Sequence, residues 1–185
     1  MSFDSLYAGL GRECAAIRSP ERGLLEEARA RLDLLAKPPG SLGRLEELAC
    51  RLYAIQGKGP LRARPALMLT IAGDHGVVSE GVAAAPQETT ARMLAVFLEG
   101  KGAINALCSA AGVDFRLVDA GIAGKADFPP HPAFRRAGIG PGVANIAAGP
   151  AMGLEECLKA LDLGISLARE ALDEGYAALG TGEMG

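Results

Sequence analysis

The run Ala66-Leu67-Met68-Leu69-Thr70-Ile71-Ala72 is short, almost wholly apolar, and ends at Gly73. A run of this kind suits a strand in a parallel sheet covered on both faces. Such a strand needs parallel neighbours, each reached by a crossover too long for a hairpin. Residues 115–120, before Gly121, and residues 176–179, before Gly180, are the other strand candidates. Between them, Pro86 opens a predicted helix to about Glu99, and residues 102–111 form a second. Leu154, Cys157, Leu158, Leu161, Ile165, Ala168 and Leu172 then mark a helix of about five turns, ended by a left-handed cap at Gly175. This alternation predicts right-handed βαβ units and an α/β fold with a parallel sheet. Residues 123–150, rich in proline and glycine, are expected to be irregular.

Upstream of the first strand the pattern is helical. Ser19-Pro20-Glu21 carries a capping hydroxyl, a proline and an acid in helix-starting order. Leu24, Ala28, Leu32 and Leu35 repeat from there to about Ala36, and Pro38-Pro39-Gly40 breaks the helix. Ser41 is the expected cap of the next helix, whose apolar face reads Leu42, Leu45, Leu48 and Leu52. The expected division is a helical segment over 1–57, a link over 57–65, and a sheet domain over 58–185. At 185 residues one substantial core is possible, burying roughly 70% of the unfolded surface. With 49% hydrophobic and 22% charged residues the chain falls among ordinary globular proteins, which argues against disorder. A net charge of −3 with no basic stripe argues against a nucleic-acid partner. Cys14, Cys50, Cys108 and Cys157 form no CxxC pair and read as free thiols of a reducing compartment. No apolar run approaches the ~20 residues of a membrane span, and Met1-Ser2-Phe3-Asp4 lacks signal-peptide order. The expectation is a cytoplasmic protein without a membrane partner.

In open parallel sheets ligands bind at the carboxyl ends of strands. That rule selects Gly73-Asp74-His75-Gly76, Asp119-Ala120-Gly121 and Gly180-Thr181-Gly182-Glu183-Met184-Gly185. The last matches G-x-G-x-x-G and reads as a strand-to-helix turn: a phosphate or nucleotide contact, a plain glycine turn, or a dinucleotide fingerprint. Because the chain stops inside that turn, a longer natural protein is expected. Asp74-His75 can serve as a metal pair, an acid–base pair in polar contact at the site, or a hydrogen bond fixing its loop. Glu80 and Glu88 flank the same region, where most glutamates are simply solvated. Glu183, between glycines at a strand's end, is mounted either as a general base or as a cap for a following helix. No nucleophile elbow, P-loop, diphosphate-ribose loop or three-ligand metal spacing occurs.

Taken together, the segments resemble a known family. Lys37-Pro38-Pro39-Gly40-Ser41-Leu42-Gly43-Arg44-Leu45-Glu46, then Ala72-Gly73-Asp74-His75-Gly76-Val77 with Glu80-Gly81-Val82 and Pro86-Gln87-Glu88, are similar to segments of the nicotinate-nucleotide–dimethylbenzimidazole phosphoribosyltransferases. Gly142, Asn145-Ile146, Gly149-Pro150-Ala151-Met152 and the 180–185 segment follow in family order. The resemblance covers nearly all of the chain from Lys37 onward. It implies a Rossmann-like parallel sheet with part of a small helical domain, assembled as a homodimer. It also implies transfer of ribose 5-phosphate from nicotinate mononucleotide to 5,6-dimethylbenzimidazole, with no cofactor and no metal. Glu183 would be a supporting carboxylate. Ala85, Pro86 and Met93 would line the benzimidazole pocket, while Gly182, Met184 and Gly185, with Asp74 and His75, would contact substrate. The family chain is nearly twice as long, and its principal catalytic glutamate lies in the C-terminal half. The expectation is therefore that these 185 residues alone are inactive. The alternative is a non-catalytic module binding a nucleotide or a benzimidazole.

Overall fold

The computed structural model describes residues 2–57, 59–124 and 126–185; Lys58 of the expected link and Lys125 of the expected irregular stretch lie outside them. The chain forms two compact units, one of Glu13–Ala63 and one of Arg64–Gly185 joined by the segment through Arg12. A first helix, α1 (Phe3–Ala16), was not anticipated from the sequence.

In the Glu13–Ala63 unit, α2 (Arg22–Asp33) lies against α3 (Arg44–Gln56). Two expected caps are not used. Glu21 rather than Ser19 precedes the first turn of α2, and Gly43 rather than Ser41 begins α3. What organises the α2–α3 turn is Glu46, which accepts hydrogen bonds from Lys37 Nζ at 2.7 Å and from Leu42 N–H at 3.1 Å. The ammonium partner, reinforced by the backbone donor, holds the Glu46 carboxyl below the usual carboxylate range. The seam between the helices is Ala28, Cys50 and Tyr53, flanked by Leu24, Leu25 and Leu32. The Tyr53 hydroxyl donates to Glu27 Oε1 at 2.8 Å and accepts from Arg31 at 3.1 Å. The expected leucine face of α3 is thereby corrected: Leu42, Leu45 and Leu48 are exposed, and the helix is rotated to bury Cys50, Tyr53 and Ala54.

The second unit is built on four parallel strands: β1 (Ala66–Gly73), β2 (Asp114–Gly121), β3 (Phe134–Arg136) and β4 (Ala178–Met184), in the order β3-β2-β1-β4. The α/β class and parallel pairing expected from the sequence are present. Helices α4 (Glu88–Leu98) and α5 (Ala103–Ala111) connect β1 to β2, and α6 (Leu154–Asp173) precedes β4. β1 alternates between two covered faces. Leu67 and Leu69 pack with Val118 and with Leu167 and Ala171 of α6, while Ala72 packs with Leu94 and Phe97 of α4 and with Leu117. The α6 stripe is also shifted from expectation, with Leu158, Leu167 and Ala171 buried and Leu154, Leu161 and Leu172 exposed. Gly175, at φ 90°, follows the end of α6 as expected.

Two further corrections concern the sheet. The stretch read as irregular contains β3, whose three residues pair with Leu117–Asp119. The glycine-rich end is not a turn. Gly180, Thr181, Gly182, Glu183 and Met184 are all in β4 and pair residue by residue with Met68 to Ala72. The stretch Glu88–Ala111 has the length and apolarity of a membrane span, contrary to the reading that no run approaches one. Gly100, at φ 72°, lies between α4 and α5, and α4 buries Thr90, Leu94 and Phe97.

Candidate functional site

Strand order sets where a ligand can enter. The chain proceeds outward from β1 to β2 to β3, then returns to place β4 on the other side of β1. The chain leaving β1 crosses over toward β2, while β4 lies on the opposite side of β1. The carboxyl ends of β1 and β4 therefore flank the switch point of the sheet, where a crevice forms. A cleft of about 430 Å³ lies there, lined by Ile71, Ala72, Gly73, His75, Ala120 and Thr181 to Met184.

β4 presents its residues to the cleft by simple alternation. Glu183 pairs with Ile71 and Met184 with Ala72, so the carboxylate and the thioether leave opposite faces of the sheet. Met184 packs into the cluster of Ala72 and Leu94, where Met93 of α4 joins it. Glu183 is exposed and has no hydrogen-bond or ion-pair partner among the described residues. Gly180 and Gly182 lie on the α4 side, facing Met68 and Thr70. A Cβ on Gly180 would fall 2.6 Å from Met68 Cε, so the glycine makes room for that side chain. Thr70, beneath Gly182, is 3% exposed, and its hydroxyl is the only buried side-chain polar atom without a partner among the described residues.

The β1 end is braced from three directions. Asp74 is buried, and its Oδ2 accepts from Ala123 N–H at 2.6 Å. Its own N–H donates to Gly121 O at 2.9 Å, and its carbonyl accepts from Val143 N–H at 2.9 Å. A loop-fixing bond of this residue is therefore formed. Asp74 does not line the main cleft but borders a neighbouring cavity of about 110 Å³ with Gly121, Gly142 and Glu156. His75 is exposed, bridges Val143 through its backbone, and places its ring where a Cβ on Gly185 would meet it at 3.0 Å from Nε2.

The structure thus brings His75, Gly182, Glu183 and Met184 to one cleft, with Gly185 against His75. Ala85 and Pro86, exposed on the approach to α4, do not line this cleft, and Met93 is linked to it only through the core cluster that Met184 also packs against. Ala120 and Thr181, from the selected strand ends, also line the cleft, as do Ile71 and Ala72 of β1, which the strand-end rule did not reach. Among the described residues no group of three or more His, Cys, Asp or Glu side chains is placed to hold a metal ion. All four cysteines are free thiols.

A sequence model of a phosphoribosyltransferase family matches residues 17–185. The chain belongs to that family. Its curated relatives include the nicotinate-nucleotide–dimethylbenzimidazole phosphoribosyltransferase of Nitratidesulfovibrio vulgaris strain DP4, 55% identical over 171 residues, which cover 92% of this chain and 48% of the relative. The enzyme of that name from Solidesulfovibrio magneticus is 51% identical over 176 residues, 95% of this chain and 49% of the relative. The crystal structure of nicotinate-nucleotide–dimethylbenzimidazole phosphoribosyltransferase from Thermus thermophilus superposes with a TM-score of 0.82 at 43% identity, covering 89% of this chain and 49% of that one. This phosphoribosyltransferase-family chain therefore spans about half the length of the curated relatives it matches.

Proposed function

We propose that the cleft between β1 and β4 is the substrate cleft of an enzyme that moves ribose 5-phosphate from nicotinate mononucleotide to 5,6-dimethylbenzimidazole. The observation that carries this reading is Glu183, an unpartnered carboxylate on a strand at the switch point of a chain whose relatives bear that name. In the reaction the bond from the ribose anomeric carbon to the nicotinate nitrogen breaks as a benzimidazole nitrogen bonds to the same carbon. The benzimidazole N–H proton is released to a base, and nicotinate leaves with the bonding pair. A fixed carboxylate facing the anomeric carbon stabilises the positive charge that builds on the sugar. Glu183 takes that supporting part, and the principal base comes from the portion of the family chain beyond these residues. Met184 and Met93 offer the apolar surface for the flat base, with Ala85 and Pro86 at its edge. Gly182 and Gly185 lie toward the mononucleotide, Gly185 against His75, with Asp74 reaching it from the neighbouring cavity.

On this reading residues 1–57 contribute to a small helical domain and 58–185 form the first part of the nucleotide- and base-binding domain of a homodimeric, cytoplasmic enzyme. The four free thiols are in keeping with a reducing compartment. Coverage of half the relatives' length favours binding without turnover by the 185 residues alone. The test is calorimetric titration of the purified chain with each substrate, followed by chromatography of a mixture of both. Saturable binding without α-ribazole phosphate is expected. No binding of either compound would refute the cleft assignment, and clear turnover would refute the external base.

A further inference from the structure

The loop between β1 and α4 is held in its first half and bare in its second. Residues Gly76–Glu80 form a 3-10 turn closed by Gly81 at φ 71°. From the segment before α6, Asn145 reaches this turn. Its Nδ2 donates to Glu80 Oε1 at 2.6 Å and lies 3.3 Å from Ser79 Oγ, and Ser79 in turn donates to Gly76 O at 2.9 Å. The other side of the same amide is also fixed, since Asn145 Oδ1 accepts from Ala147 N–H at 2.9 Å. Gly76 N–H bonds Val143 O at 2.9 Å, so turn and segment meet through backbone as well. Beyond Gly81, residues 82 to 86 are exposed. They run to α4 and include Ala85 and Pro86.

We propose that Asn145 is a positioning residue for the benzimidazole subsite: by clamping Glu80 and Ser79 it fixes the point from which residues 82–86 depart over the base. The inference rests on the functional reading above and adds to it a residue that need not touch either substrate. The side-chain link between the two segments is made by a single amide, so its polarity can be reversed. Asn145→Asp keeps the acceptor for Ala147 but sets a carboxylate against Glu80. Adding Glu80→Gln restores a donor and acceptor across the same gap with their roles exchanged.

The test measures amide exchange and ligand binding on the wild-type chain, Asn145→Asp, and Asn145→Asp with Glu80→Gln. In the single variant, exchange at Val78 and Gly81 should accelerate, and the Kd for 5,6-dimethylbenzimidazole should rise roughly fivefold or more, as for loss of one charge-assisted hydrogen bond. The Kd for nicotinate mononucleotide should not change, and the double variant should recover the base affinity to within about twofold. A residue that merely stabilises the fold would weaken both ligands together. Unchanged exchange at Gly81 in Asn145→Asp overturns the clamp. Altered exchange with unchanged base affinity overturns its part in the subsite. A wild-type chain that binds no dimethylbenzimidazole overturns the functional reading and the subsite role with it, and the exchange arm then judges the clamp alone.

Discussion

β1 and α3 are both rich in aliphatic side chains, but they meet different surroundings. β1 is covered on both faces, with Leu67 and Leu69 toward α6 and Ala72 toward α4, each at most 4% exposed. α3 has one seam, Cys50 and Tyr53 against α2, and on its other side Leu45, Leu48 and Ile55 are 65%, 54% and 70% exposed. A strand flanked by crossover helices offers a layer to each face, whereas two helices bury a single seam between them. The consequence is two kinds of stability. The sheet unit depends on close fit, and the helix pair depends on a few residues and their polar ties.

The sharpest way to test this contrast is to add a methyl group where the sheet unit has no room. A Cβ on Gly76 would lie 2.6 Å from Asn145 N and 2.8 Å from Ala144 C, both backbone atoms that cannot swing aside. Gly76→Ala should cost about 3 kcal/mol or more, read as a lower urea midpoint. A change below about 1 kcal/mol would mean that this rim yields and that the tight fit is only apparent.

The same contrast explains what could be read from the residues alone. β1 was legible from its continuous apolar run, α4 from the proline at its start, and β2 and α5 from short apolar stretches set off by glycines. β3 was not, because Phe134-Arg135-Arg136 is a strand only by virtue of β2 beside it. β4 was cut short at Gly180 because glycine is depleted in strands, yet here Gly180 and Gly182 face Met68 and Thr70 across the pair. For α3 and α6 the helices were legible but the buried faces were not, since periodicity shows which residues are apolar and not which ones meet a partner. The site was legible as three strand ends, which do converge. The bond of Asp74 to Ala123 N–H, and the absence of Ala85 and Pro86 from the cleft lining, depend on chain paths that no local pattern encodes.

Close fit does not mean that every group in the sheet is satisfied. The Thr70 hydroxyl is buried without a partner beneath Gly182. An unpaired buried hydroxyl carries a desolvation cost that a methyl of similar shape does not. Thr70→Val should therefore raise the stability of the chain by about 1 kcal/mol, measured by denaturant unfolding. A loss of stability instead would show that the hydroxyl has a partner in solution.

The polar ties of the helix pair can be tested with acid. The Glu46 carboxyl is held below its ordinary value by Lys37 and by the Leu42 N–H. Its folded pKa therefore lies below its unfolded one, so its contribution is present above the unfolded value of ~4.3 and lost as pH falls through the folded value. The protection of α2 and α3 amides, taken relative to their intrinsic exchange rates at each pH, should fall over that acid window in the wild-type chain. Glu46→Gln should remove that part of the pH dependence, and an unaltered profile would separate the pair's stability from this carboxylate.

The smallest expected effect lies on the other face of α3. Leu48 is 54% exposed, and glutamine has nearly the same intrinsic helix preference as leucine, so Leu48→Gln removes little burial and leaves the backbone unstrained. The change should stay within about 0.5 kcal/mol in thermal unfolding of the 185-residue chain. Tyr53→Ala, five residues along the same helix, removes a ring 5% exposed and both hydrogen bonds of its hydroxyl, and should cost about 3 kcal/mol or more. The gap between the two variants measures how far the helix pair rests on a single seam. If Leu48→Gln approached the cost of Tyr53→Ala, the leucine face would have to be covered in solution, and the contrast between a strand covered twice and a helix covered once would fail.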